Sequence, residues 1–501
     1  MAKGTLSLER LEEEIKTAQY REAAESFCRL VAEEERPLRE VVHAAIGAAA
    51  PFVQVPSHLM QQPNGEIRGV NYDHTILGWR GAIALMPKMS ARRAALPTVQ
   101  AMWYVPQGLN IWEQIICEFP GHYARQEGCG LRYPSEDGED RFDGPAWTPP
   151  KLHFEEHEPI RAGSVEDRLE RLKERVLFAG IIDLQDTLIN QAKGYGNIGH
   201  KALRARALVD IADYLGWERS HELIYSVVPD LGCSPRLFGL WNEINSVVKV
   251  ELAGLAIPKR GPVPLSEHNI ERLGEALLWG GAYEVNDAIT ALYRRGYGVL
   301  DVADGLAVCY QRYLLDVLDH PSSYNYPMHS FDYLNVIATW VRRYDNSHQS
   351  KTMYLAARFI NDAIRYNAMV PRDPKFNLEP RANYRPYADD VPLDRLLGTL
   401  EEAILAQDAP RAGALADSYL ERTDERKQLM ESVTYAACHF QNDPHIMRNC
   451  ASSLEEWANN RTSRRDDIIR GWVKYQARYT KRADVLDCVA LYRRYFQSGR
   501  D

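Results

Sequence analysis

Four histidines stand at matching places along the chain. Each follows a break bearing Pro, Gly or Asn and stands near the head of the segment after it: His74 in VNYDHTILGW, His200 in GYGNIGHKAL, His329 in NYPMHSFDYL and His445 in QNDPHIMRNC. Neutral imidazole is the commonest transition-metal ligand, and clusters of three or four nitrogen donors suit iron, zinc, copper or nickel. Nearby carboxylates, Asp73, Asp332 and Asp443, could complete a shell or orient a ligand through its second nitrogen, with Asp332 or Asp443 as the assisting partner or base. His58 and His439 are close enough in sequence to act as substitute ligands or to build a second metal site. The plainer alternative is that a histidine at a helix start caps a backbone group or fills a half-buried polar slot. A repeated structural role would recur just as a repeated ligand would.

The elements that must position these side chains are read from periodicity. Apolar residues recur at i, i+3, i+4 and i+7 in RLEEEIKTAQYREAAESFCRLV (10–31), HKALRARALVDIADYLGW (200–217) and DVADGLAVCYQRYLLDVL (301–318), which is the pattern of helices burying one face. Alternating strand patterns are scarce. The segments 20–58, 285–318 and 409–445 share a plan: a small-residue helix, a polar turn, a second helix, then a break followed by the histidine. Residues 173–217 fit as a fourth, altered copy. One such unit cannot bury its own apolar faces, so stacked neighbours must supply the core. The expected fold is all-α, about four diverged helical repeats in a compact solenoid or ring, where equivalent positions face one side and the histidines converge. The boundaries are repeat 1 at 1–118, a loop-rich insert or lid at 119–163, repeat 2 at 164–256, repeat 3 at 265–369, a linker at 370–392 and repeat 4 at 393–501. They form one continuous body.

Bulk composition excludes several function classes. Of 501 residues, 45% are hydrophobic and 26% charged, the balance of a folded chain. The net charge of −9 and the lack of a Lys/Arg-rich run argue against a nucleic-acid partner. The start, MAKGTLSLERLEEEIK, lacks the layout of a secretory signal, and the charge-poor stretch from Val41 to Gly65 is broken by Pro51, Pro56 and Pro63. The expected location is cytoplasmic, with no membrane partner. Eight cysteines without a CxxC pair read as buried free thiols.

Other motifs fail on context. Gly194, Gly196 and Gly199 in GYGNIG match a dinucleotide fingerprint, but that motif needs a strand and a βαβ unit around it, and the preceding LKERVLFAGIIDLQDTLINQAK reads as helix. The glycines are instead expected to turn the backbone sharply before His200, which also occupies the place of a P-loop lysine. His153 and His157 in HFEEHE have helical spacing yet follow Pro149 and Pro150, so a surface turn is expected. No GxSxG elbow supports acyl transfer. Aromatic clusters at 102–112 and 324–333 fill inter-helix gaps or line an apolar pocket.

HKALRARALVDIADYLGWERSHELIYSVVPDL (200–231), MHSFDYLNVIATW (328–340) and VNYDHTILGWRGAIAL (70–85) together resemble a helical module that accompanies a Rieske-type ferredoxin domain in some bacterial proteins. The resemblance implies an electron-supplied metal site. This chain has no Cys-x-His pair, so it cannot build the Rieske cluster itself, and redox chemistry would draw on an external electron donor, a small reductant or the substrate. The expected function is a metal-dependent oxidoreductase or oxygenase acting on a small organic substrate. Iron is the first expectation for the metal, with zinc, copper, manganese or nickel as alternatives. Two other functions compete: a non-catalytic scaffold binding a peptide or protein partner, and a metal-dependent hydrolase or lyase in which the same ligands activate water.

Overall fold

Short polar residues set the helix starts. The Ser7 hydroxyl accepts the Arg10 amide at 3.3 Å and opens α1 (Leu8–Lys16), in which Leu11 and Ile15, one turn apart, are buried. The helical run read over 10–31 is in fact two helices. Thr17 and Gln19 bond to each other through their side chains at 2.9 Å, and α2 (Tyr20–Ala32) starts afresh after them. The computed structural model describes residues 7–17, 19–50, 59–61, 67–69, 74–105, 164–182, 184, 186–189, 192–195, 199–233, 239–316, 325–369, 388, 390–439, 445–478 and 485–497. The insert 119–163 and most of the linker 370–392 lie outside them.

By contact density the chain falls into two units. The first comprises Met1–Leu77, Met102–Gly180 and His200–Arg236, and the second Gly78–Ala101, Ile181–Gly199 and Leu237–Asp501. In the first unit α1 packs on α2 and α3 (Leu38–Ala49), and α3 packs on α6 (His200–Leu215) and α7 (His221–Cys233). A two-stranded antiparallel ribbon, β1 (Leu59–Gln61) with β2 (Ile67–Gly69), precedes α4 (His74–Leu85). The helix α5 (Val165–Ile182) runs up to a second ribbon, β3 (Asp186–Ile189) with β4 (Ala192–Tyr195). The helical expectation for 172–193 is therefore corrected at its end, where Asp186–Ile189 is strand.

The second unit is built on α8 (Gly239–Glu251), α9 (Glu267–Trp279), α10 (Ala282–Arg294), α11 (Val299–Asp316), α12 (Asn325–Arg343) and α13 (Gln349–Met369). It continues with α14 (Leu393–Leu405), α15 (Ala409–Arg422), α16 (Arg426–Ala437), α17 (His445–Asn459), α18 (Asp466–Arg478) and α19 (Val485–Phe496). Its core forms where α11 packs on α18 and α12, and where α12 packs on α13 and α17. Trp340, Trp472, Tyr310, Phe331 and Tyr333 are fully enclosed there, which makes Phe331 and Tyr333 of the 324–333 cluster core filling. The stretch 257–264 is non-helical, as its Pro and Gly content predicts. Helix dominates the described residues, and no helix among them is long and apolar enough to cross a membrane.

In chain order a histidine-bearing helix follows two others at α2, α3, α4; α10, α11, α12; and α15, α16, α17.

Candidate histidine site

In the second unit, His329 and His445 face each other across α12 and α17. Their Nε2 atoms lie 3.2 Å apart, with ring centroids at 4.9 Å and planes at 72°. Both are buried. His445 is the first residue of α17, while His329 sits one turn inside α12 rather than at its start. One turn further on, the same two helices are clamped together. Arg448 Nε donates to Asp332 Oδ2 at 2.5 Å, and Asn449 Nδ2 donates to Asp332 Oδ1 at 3.2 Å and to the Met328 carbonyl at 3.3 Å. Asp332 and Arg448 are also buried, so this ion pair fixes the axial register of the two histidines.

The clamp continues as a ladder. Asn335 Nδ2 donates to Glu456 Oε1 at 2.8 Å and to Glu455 Oε2 at 3.0 Å, and Arg342 Nη1 donates to Glu456 Oε1 at 3.0 Å. Arg80 Nη2, on α4, reaches Asn335 Oδ1 at 3.3 Å and both carboxylate oxygens of Glu455, also at 3.3 Å. Arg80 stands six residues beyond His74, and Asn335 six beyond His329.

In the first unit, His74 and His200 form a second pair, with ring centroids 5.2 Å apart and planes tilted by 52°. Each is the first residue of its helix and each is buried. Gly199 holds φ at +76°, a left-handed conformation that swings the chain into α6, as expected for a glycine placed there. A Cβ at Gly199 would also meet Phe359 at 3.1 Å and Tyr333 at 3.3 Å. At Gly180, a Cβ would stand 2.7 Å from the Lys201 carbonyl, so glycine lets α5 press against the first turn of α6.

The remaining candidates separate. His58, Asp73, Asp443, His153 and His157 lie outside the described residues. His439 is buried at the end of α16, where its Nδ1 bonds the Tyr435 carbonyl at 2.7 Å and its ring lies 4.5 Å from that of Tyr435. GYGNIG begins inside an antiparallel ribbon, with Gly194 and Tyr195 in β4, instead of following a strand of the parallel βαβ unit that dinucleotide binding requires. Cys28, Cys309, Cys438, Cys450 and Cys488 are buried free thiols, and burial pushes Cys309 and Cys450 up to about 12. Such thiols are poor nucleophiles.

Sequence reasoning missed Arg448, Asn449, Arg80, Glu455 and Glu456. One signal was available: His329 is followed three residues on by Asp332, and His445 three residues on by Arg448, an opposite-charge pair at the same step. No family model, curated protein or solved structure matches the chain.

Proposed function

We propose that His329 and His445 hold one transition-metal ion in a repeat-built helical protein, and that this centre is the seat of an oxidoreductase activity on a small organic substrate. The observation that supports the metal is the spacing of His329 and His445. Two nitrogens bound at about 2.0–2.1 Å to one ion at angles between square and tetrahedral are separated by about 2.8–3.4 Å. The Nε2 separation of 3.2 Å falls in that window. An all-imidazole donor set suits iron, copper, zinc and nickel, and a bound ion with an open position supplies a Lewis acid or a redox centre. Asp332 is tied to Arg448 and Asn449, so in this chain it positions His329 through α12 and is not a free base.

The same 3.2 Å also fits a hydrogen bond from the Nε2–H of one neutral ring to the bare Nε2 of the other. Elemental mass spectrometry on untagged protein, beside a His329→Ala/His445→Ala variant, tells the two apart. Near-stoichiometric metal in the wild type and its loss in the variant is the expected result. Wild-type protein that stays metal-free after incubation with ferrous, cupric and zinc ions sinks the metal centre and leaves a structural histidine pair. For loaded protein, visible absorption or a paramagnetic signal is expected. A spectroscopically silent zinc protein replaces the redox activity with hydrolase or lyase chemistry.

A further inference from the structure

A second chemical cluster lies at the head of α13, where neither the histidine pairs nor the buried ladder takes part. Lys351 occupies the third position of that helix. Its Nζ is 3.1 Å from His348 Nδ1 and 5.6 Å from the centroid of Trp241, and the Trp241 and His348 rings meet nearly edge-on at 5.7 Å and 74°. All three side chains are half-buried, so the amine is shielded yet reachable. No carboxylate of the described residues lies within ion-pair distance of Lys351; Asp345 pairs with Lys259 at 2.8 Å and Glu243 with Arg358 at 2.6 Å.

This is a poor place for an ammonium ion. The first turn of a helix carries the positive end of its dipole, which disfavours a cation. Burial lowers the pKa of Lys351 below the usual lysine range, and burial followed by the Lys351 charge lowers that of His348. The Trp241 face and a hydrogen bond to His348 Nδ1 pull toward the charged form. An amine whose charged form burial disfavours, held against an imidazole nitrogen, is an arrangement that makes a lysine nucleophilic.

We propose that Lys351 is a reactive amine that condenses with small carbonyl compounds bearing a carboxylate, of the 2-oxo acid or oxo-aldehyde class, with His348 Nδ1 as its proton acceptor. The nitrogen lone pair attacks the carbonyl carbon and the carbonyl π pair moves to oxygen; the nitrogen gives one proton to His348, which passes it to that oxygen and makes it a hydroxyl. The second nitrogen proton follows by the same path to the hydroxyl, and water leaves as the C–O bond breaks and the C=N bond forms, so amine and carbonyl yield imine and one water with no oxidant or reductant. The carboxylate is favoured by the helix's positive end and by the lack of a competing acid.

The full-length protein is treated with limiting glyoxylate and cyanoborohydride, and carboxymethyl-lysine is quantified peptide by peptide. Lys351 is expected to be labelled several-fold faster than the average of the other lysines, and a parallel reaction with acetaldehyde is expected to show less preference for it. A His348→Asn variant is expected to lose most of that preference. Labelling of Lys351 at the common rate overturns the reactive amine, equal preference for acetaldehyde overturns the carboxylate, and undiminished preference in His348→Asn overturns the role of His348. None of these outcomes touches the metal centre.

Discussion

At the scale of single residues, the histidine site depends on charges that burial makes expensive to disturb. Asp332 and Arg448 are each almost wholly enclosed, and removing one partner strands the other's charge. Asp332→Ala is expected to cost about 3–5 kcal/mol of unfolding free energy, measured by urea denaturation. Asp332→Ala with Arg448→Met should recover much of that loss; a double variant as unstable as the single one rules out the uncompensated charge as the cause. Asp304 behaves differently. Burial outweighs its bond to Arg260 and pushes its carboxyl from 3.8 up to about 6. Between those values the native state binds the proton more tightly than the unfolded chain, so this group's contribution falls as pH rises through that window and is level above it. The shift corresponds to about 3 kcal/mol at most. Relative to Asp304→Asn, the wild type should therefore lose stability between about pH 4 and about pH 7, and parallel curves for the two proteins would refute it. Sequence proximity had singled out Asp332 beside His329. Its partner stands 116 residues away, and nothing local to either residue announces the pairing.

At the scale of elements, helices were legible and the ribbons were not. The periodicity of 200–217 and 301–318 located α6 and α11 because their apolar faces are buried along whole helices. The ribbons are only three and four residues per strand, too short for alternation to show. Asn64-Gly65, between β1 and β2, was the one turn signal present. Both ribbons end five residues before a histidine, β2 at Gly69 before His74 and β4 at Tyr195 before His200. The first occupies a break that sequence reading treated as a plain interruption, and the second replaces the end of a stretch it read as helix. Delivery of His200 rests on Gly199. An alanine there would hold a left-handed backbone, and its Cβ would crowd Phe359. Gly199→Ala should cost at least about 1–2 kcal/mol. The check is chemical denaturation, and an unchanged unfolding midpoint would show that the turn can relax to a right-handed conformation.

At the scale of the whole molecule, the class of fold could be read from the chain because a helical pattern repeats wherever one face is buried. The meeting of distant segments could not, since a contact such as His329 with His445 leaves no trace within either segment. The sequence reading bridged that gap by assuming that equivalent positions share an environment. The assumption has a thermodynamic consequence. A metal held by His329 and His445 binds the folded chain and not the unfolded one, in which those two residues are separated by 116 positions. Unfolding free energy should then rise with metal activity, by about 2.7 kcal/mol when free metal is a hundred times its dissociation constant. His445→Ala should flatten that dependence even where the variant is itself well folded, because the missing ligand weakens metal binding without requiring damage elsewhere. If the histidines serve only to bond one another, the wild type will be as indifferent to added metal and to chelator as the variant, and the loss caused by His445→Ala will be the same at every metal concentration.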